Sequence, residues 1–466
     1  MQLEVLMKKL FLLFFTYCFC TISVVALQKE YFSQPVYDEA TGVPLPQDDS
    51  DYDNFAWNVP FSEWYEGGHF FGGLGDLRGD FENVGFVPVV SYVGNFAGNA
   101  IGGNSRGVAH CGAFQIAAGL DLYKLTEIKS LKGWNLVNVW NYRFGDSLTK
   151  KRLGNTFSVQ QIYGNQTMML QSLYLSYANT IVGGEYDVMF KIGRISAGDN
   201  FLTKPIYWLY QNNAFNGNPV GVFNQARFSD VASTWGAMGR ITDSEGRYFK
   251  AGVYQINTPK QNSRDMHGLE WSMKCEGVNA NFELGWDINH DDSGKSPANI
   301  SVGIVSDWYN APYVDASGRN GTYNCSIYLQ ADYMIWNMGY IKNDNPRYIV
   351  RDKDKYRDIR GIILWGVFQY CPYDELAKMP YFVNGGILFN APFESRADDV
   401  LCFGFAYGKY SDEMPSKYRD SHEAVLELNY KFQLNRFMFV QPNIQYVMTP
   451  VADNAVVFGM QYGINF

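Results

Sequence analysis

The sequence predicts an all-β protein, a single 16-stranded antiparallel transmembrane β-barrel with short periplasmic turns and long external loops. Three observations carry this expectation. An uncharged apolar run near the amino terminus ends in the small-residue pattern that a signal peptidase reads. From Val84 onward the chain breaks into segments of roughly ten residues in which polar and apolar side chains alternate, the length and pattern a tilted membrane strand requires. No stretch after Ala26 offers the ~18 consecutive apolar residues of a spanning helix, so any membrane crossing must be made by a closed ladder of strands.

The export signal is built from Lys8 and Lys9, the apolar run Leu10 to Val25, and the small residues Val24 and Ala26. Cleavage is expected after Ala26. An amino-terminal anchor is the alternative, but the run is short for a span. Cys18 and Cys20 lie inside it without the small-residue context of a lipoprotein. Three regions follow: a signal peptide at 1–26, a periplasmic or plug-like segment at 27–83, and the barrel at 84–466.

The roughly 440 residues after the signal exceed what one core usually organises, which leaves several domains or one large closed sheet. An aromatic content of 17%, 45 glycines and only 18% charged residues favour the sheet. A net charge of -9 argues against nucleic acid as a partner. Cys111, Cys275, Cys325, Cys371 and Cys402 are widely spaced and odd in number, with no metal-ligand spacing. They read as small strand residues, and oxidation of one pair stays open.

Alternation is clearest toward the carboxy terminus. Between Glu423 and Phe432, Ala, Leu, Leu, Tyr and Phe share one face, and Glu423, Glu427, Asn429 and Lys431 the other. Gln441, Asn443 and Gln445 oppose Val440, Pro442, Ile444 and Tyr446, and Tyr323 to Tyr333 alternates likewise. A water-facing antiparallel sheet would alternate too. Aromatics at segment ends, and a final strand closing on Phe466, favour the membrane.

Seventeen candidate runs follow Val84, and an even-stranded barrel admits sixteen once the weak run Leu269 to Cys275 is set aside. That parity makes Val182-Gly183-Gly184 and Asp243-Ser244-Glu245-Gly246 short periplasmic turns. Connections 97–110, 145–167 and 196–233 fall outside, and 337–359 becomes a long periplasmic connection.

Several stretches occur in an order that resembles one known family. They are Gly72-Gly73-Leu74-Gly75-Asp76-Leu77-Arg78, Asn83-Val84-Gly85-Phe86, Gly119 to Leu125, and Val188 to Phe201. Asp398 to Tyr407 with Tyr410-Ser411-Asp412, Glu423 to Tyr430 and Gln441 to Tyr446 continue it. From about Phe70 to Phe466 the chain resembles the carbohydrate-selective porins of the OprB family. The resemblance implies a passive outer-membrane channel for small sugars. The first element is degraded, Arg194 stands where Gln is usual, and a charged insert occupies 346–360; these departures bear on substrate choice more than on architecture.

A channel sorts solutes at its narrowest level. The longest external connection, 196–233, is expected to fold inward there. It carries Lys204, Tyr207, Trp208, Tyr210, Gln211, Asn212, Asn213, Asn224 and Arg227, aromatic and hydrogen-bonding groups suited to sugars. Packing of the same aromatics on the rim is the blander alternative. Strand parity points Lys191, Glu427, Asn429, Gln441, Asn443 and Gln445 into the lumen. Arg194, just before that loop, and Asp199, at its start and at the acidic position of the family the chain resembles, complete the expected constriction, with Asp199 as well placed to order the loop as to meet solute.

The chain carries no G-x-S-x-G, no H-E-x-x-H and no phosphate-cradling Gly loop, and its five His stand apart. No enzyme activity, metal or cofactor is expected. The expected partners are small sugars as solutes and outer-membrane lipid, with a homotrimer and a lone barrel both open. A general porin, a surface adhesion barrel and a secreted sugar-binding protein are the competing readings.

Overall fold

The computed structural model describes residues 55–164, 166–215, 224, 233–257, 267–289, 295–340, 359–419 and 421–466. The expected signal peptide, its cleavage after Ala26, and the first half of segment 27–83 lie outside them.

Sixteen strands close into one barrel. They are β1 (Phe86–Ile101), β2 (Gly107–Asp121), β3 (Trp134–Gly145), β4 (Met168–Ile181), β5 (Tyr186–Ile195), β6 (Thr234–Asp243), β7 (Arg247–Ile256) and β8 (Gly277–Ile288). Then come β9 (Ala298–Trp308), β10 (Asn324–Tyr340), β11 (Ile359–Tyr370), β12 (Tyr381–Asn390), β13 (Val400–Lys409), β14 (His422–Gln433), β15 (Met438–Met448) and β16 (Ala455–Asn465). Each pairs antiparallel with its neighbours in sequence. The ring closes where β1 meets β16, in register from Ser91 opposite Asn465 to Gly98 opposite Phe458.

The expected count of sixteen holds, and Leu269 to Cys275 forms no strand. Residues 182–185 and 244–246 make the short turns expected at the end that carries the carboxy terminus. Two expectations are corrected. The connection placed at 97–110 shrinks to 102–106, because β1 and β2 extend as a long hairpin. Asn99 closes it: its Nδ2 donates to the carbonyls of Gly102 (2.7 Å) and Ser105 (3.0 Å), and its Oδ1 accepts from the Gly107 amide (3.1 Å). Gly102 sits at φ +75°, where a Cβ would overlap the Asn454 carbonyl, so the turn requires glycine. At the other barrel end β10 runs on to Tyr340, past register irregularities after Met334 and Asn337, so the connection placed at 337–359 begins later.

The strands are inside-out relative to a soluble sheet. In β13, Leu401, Phe403 and Phe405 point outward and are exposed, and Val400, Cys402 and Ala406 point inward. In β8, Phe282, Leu284 and Trp286 face out, and Asn279, Asn281 and Glu283 are fully buried within. The same order recurs around the ring, and large apolar side chains cover its outer surface far beyond the few hundred Å² a soluble monomer shows. Exposed aromatics flank this band, with Tyr186 and Trp286 near the carboxy-terminal end and Trp308 and Tyr381 near the other. That is the arrangement of interfacial girdles. All five described cysteines are free thiols, four of them buried.

The described part of segment 27–83 holds two short helices, α1 (Phe61–Glu66) and α2 (Leu77–Asn83), and rests on the carboxy-terminal rim. The Phe70 amide donates to the Asn465 carbonyl (3.0 Å), and Tyr65 Oη to the Leu434 carbonyl (2.5 Å). Arg78 reaches the Phe466 carbonyl (3.0 Å), and the Phe71 ring stacks on Phe466 at 5.5 Å.

A cation placed on the outer band must enter hydrocarbon. Phe403→Arg, on an outward position of β13 that is 46% exposed, is expected to cost ~2–4 kcal/mol of barrel stability. Phe403→Leu should cost far less. Guanidinium unfolding in phospholipid vesicles measures both, and equal losses would contradict the outward assignment.

Candidate functional site: two loops folded into the barrel

Inward parity gives the wall its polar character. Lys191, Glu427, Asn429, Gln441, Asn443 and Gln445 all face inward and are buried. Buried polar groups require partners, and two loops from the same barrel end supply them to Lys191, Glu427, Gln441 and Gln445.

The first is the loop after β5, described over 196–215. It leaves the β5 wall and crosses to the opposite side. Near its start Asp199 is half-buried, and Asn200 Oδ1 accepts from Lys191 Nζ at 3.2 Å. Lys204 pairs with Asp332 on β10 and donates to Asn299 on β9. A 3-10 turn, Pro205–Leu209, then presents Tyr207 to Gln330 (3.2 Å) and to the Trp365 ring (4.6 Å). Tyr210 Oη donates to the Phe403 carbonyl of β13 (3.1 Å) and accepts from Trp365 Nε1 (3.0 Å). Farthest across, Gln211 meets β1 through Asn95 (3.1 Å) and β15 through the Gln441 carbonyl (2.5 Å). Trp208 is buried, its Nε1 donating to Thr203 Oγ1 at 3.4 Å.

The second is 146–167, between β3 and β4, which sequence reasoning placed outside without expecting it to fold in. Phe157, Val159, Gln160 and Ile162 are buried within the barrel. The two loops run together: the Gln161 amide donates to the Gln211 carbonyl (2.8 Å), and the Asn213 amide to the Ser158 carbonyl (2.9 Å). A loop meant for water has no use for Phe157, Val159 and Ile162 beside two adjacent glutamines, and that composition is the signal that marks it.

Both loops end on β14. Glu427 accepts the amides of Gln211 and Asn212, each at 2.8 Å, and the Asn429 side chain at 2.8 Å. Glu423 accepts the amides of Thr156 (2.8 Å) and Phe157 (2.7 Å), with Tyr410 Oη at 3.1 Å. Gln441 and Gln445 return bonds to the loop carbonyls of Leu209 (2.7 Å) and Val159 (3.0 Å). Above Glu423, Lys378 donates to Thr156 Oγ1 (3.2 Å); burial lowers the pKa of its ammonium, and the charge of Glu423 opposes that shift.

Tyr207, Tyr210, Gln211 and Glu427 are buried completely or nearly so, so they hold the loop in place. Groups with access to water lie on the β6–β10 side. Arg240 and Asp287 pair at 2.5 Å with side chains 27% and 21% exposed, and Lys250 pairs with Glu283 at 2.8 Å, the lysine 12% exposed. The Arg240 guanidinium lies over the Tyr248 ring at 4.1 Å, and Tyr248 and Tyr328 both donate to Glu283, at 2.9 and 2.6 Å. Sequence reasoning missed this charged wall, although strict alternation through Asn279, Asn281 and Glu283 marks it.

Arg194 is a correction. Parity that turns Lys191 inward turns Phe190, Ile192 and Arg194 outward, and Arg194 lies on the outer surface of the barrel. It is only 2% exposed because the segment 267–276 folds down over it. Its guanidinium donates to the carbonyls of Ser233 (3.0 Å) and Glu270 and sits between the rings of Trp235 (6.0 Å) and Trp271 (5.7 Å). The Leu170 amide, donating to the His267 carbonyl at 2.9 Å, fixes the same segment. A cation at this depth is tolerated because carbonyls and aromatic faces enclose it. Arg227 lies outside the described residues. Geometry thus brings Lys204, Tyr207, Tyr210, Glu427, Asn429, Gln441 and Gln445 into one network and leaves Arg194 out of it.

A family model described as the carbohydrate-selective porin, OprB family, matches residues 105–466. Porin B of Pseudomonas aeruginosa is 24% identical over 447 residues, covering 86% of this chain and 91% of the relative. Among solved structures, the high-pH structure of Pseudomonas putida OprB superposes with a TM-score of 0.72 at 21% identity, over 86% of this chain and 99% of that one. The low-pH structure of the same protein gives 0.54 at 17% identity, with the same coverage.

Removing Arg194 should release the outer segment and leave the lumen untouched. Arg194→Ala is expected to open the Trp271 region to chymotrypsin without altering single-channel conductance. A changed conductance would place Arg194 on the solute path after all.

Proposed function

The chain belongs to the carbohydrate-selective porin family, OprB, and on that premise we propose that it passes small sugars by passive diffusion through the constricted interior of its barrel. Supporting this reading most directly is the loop 196–215, which crosses the barrel and narrows it. What it leaves accessible on the wall is the Arg240–Asp287 pair and the edges of Lys250 and Lys204, each paired with a buried carboxylate, Glu283 and Asp332. Paired charges of opposite sign give little net field to favour an ion of one sign. The planar Arg240 guanidinium beside the Asp287 carboxylate, held in place by the Tyr248 ring beneath it, offers the paired hydrogen bonds that neighbouring pyranose hydroxyls match.

In this reading residues 1–26 direct export and are removed after Ala26, and the carboxy-terminal rim with segment 27–83 faces the periplasm. The connections at the opposite end, including both inward loops, belong to the cell exterior. Solute enters from their side, passes the narrowed level and leaves along the Arg240–Asp287 wall, with no covalent step.

Purified protein in planar bilayers is expected to open in discrete steps that glucose or maltotriose reduces in a saturable way; steps arriving in threes would mark a homotrimer. Arg240→Ala should raise the half-blocking sugar concentration by roughly three- to tenfold, ~0.6–1.4 kcal/mol of lost interaction. Conductance indifferent to saturating sugar would reject the sugar preference and leave a general pore.

A further inference from the structure

Glu423 and Glu427 stand four residues apart on the inward face of β14, about 13 Å along the strand. Each is buried, and each presents its carboxylate to two consecutive backbone amides of a different inward loop. Glu427 takes Gln211 and Asn212 of one, and Glu423 takes Thr156 and Phe157 of the other. An ionised carboxylate only accepts, and its two oxygens match a pair of adjacent N–H groups. Such charge-assisted bonds are about twice as strong as neutral ones. Side-chain donors add to these bonds, Asn429 for Glu427, and Tyr410, Asn155 and Thr449 for Glu423.

We propose that Glu423 and Glu427 are positioning residues for permeation, a pair of clamps on one strand that hold the two inward loops across the barrel and so set its cross-section and its sugar preference. The inference rests on the porin reading and deepens it. Neither carboxylate meets solute, because both are buried beneath the loops they hold. Their effect travels through the loop backbone, and since the loops bond to each other at Gln161–Gln211 and Ser158–Asn213, releasing one clamp loosens the other. The two substitutions are therefore expected to be non-additive.

Glu427→Gln keeps the size of the side chain and replaces one acceptor oxygen by a donor facing an amide N–H. Glu423→Gln does the same for the other loop. Both barrels, checked for the heat-dependent gel shift of folded porins, are measured in two ways: hydrogen exchange in detergent, and planar-bilayer conductance with and without maltotriose. Glu427→Gln should lose amide protection at 211–212 first and keep it in the strands. It should also raise conductance roughly twofold or more and weaken sugar block. Glu423→Gln should do so at 156–157, and Glu427→Asp should recover part of the wild-type behaviour.

Should Glu427→Gln fail to fold, Gln211→Pro removes the clamped N–H from the loop side; Tyr210 is already extended (φ -105°, ψ 153°), as a residue before proline must be. The same rise in conductance is expected. Unchanged exchange at 211–212 with unchanged conductance overturns the clamp, and so does protection lost equally in loops and strands. Conductance that rises with loop release, in a wild type that sugar never blocks, upholds the clamp and rejects the sugar preference.

Discussion

In hydrocarbon an unpaired backbone N–H or C=O costs several kcal/mol, and no water is present to relieve it. A chain that crosses with strands must therefore bring its first strand back to its last. Here the ring closes where β1 meets β16, in register over nine residue pairs from Ser91–Asn465 to Asn99–Val457. Everything else in the molecule is arranged around that closure. With both neighbours of every strand occupied, successive side chains have only two destinations, lipid or interior, and the outer surface takes Phe, Leu, Ile and Trp while Asn, Gln, Glu and Lys turn inward.

Closure creates a second problem inside. A barrel of sixteen strands is too wide for its own side chains to fill, and its polar inner wall would stand in open water. Loops 146–167 and 196–215 enter that space and convert much of the wall into a buried polar core. There the accounting of hydrogen bonds becomes strict. Loop amides go to carboxylates and loop carbonyls to glutamine side chains, as with Gln441 to Leu209 and Gln445 to Val159. What stays accessible is the wall the loops leave uncovered, where opposite charges are paired.

The outer surface shows the same rule from the other side. Arg194 faces lipid by parity, and the segment 267–276 folds down to cover it with carbonyls and indole rings. At the carboxy-terminal rim, the segment that carries helices α1 and α2 meets the end of the barrel through the Phe70 and Phe71 rings, the Phe70 amide, and the Tyr65 and Arg78 side chains. Both are cases of chain outside the ladder being tied to it by side chains whose positions the ladder dictates.

The sequence by itself determined the parts governed by period and medium. Alternation over ten-residue runs, the absence of a helical span and the parity of the runs were enough for a sixteen-stranded barrel, for the setting aside of Leu269 to Cys275, and for the inward direction of Lys191, Glu427 and Gln445. These are local properties: a side chain's face follows from its neighbours two residues away. Only the tertiary structure decided which inward groups are sealed and which stay wet, that the 146–167 loop folds in, and that Arg194 is covered from outside. The Gln211 amide meets Glu427 across 216 residues of sequence and Thr156 meets Glu423 across 267. No pattern along the chain encodes such a pairing; it follows from which points of the wall a loop can reach once the ring has closed.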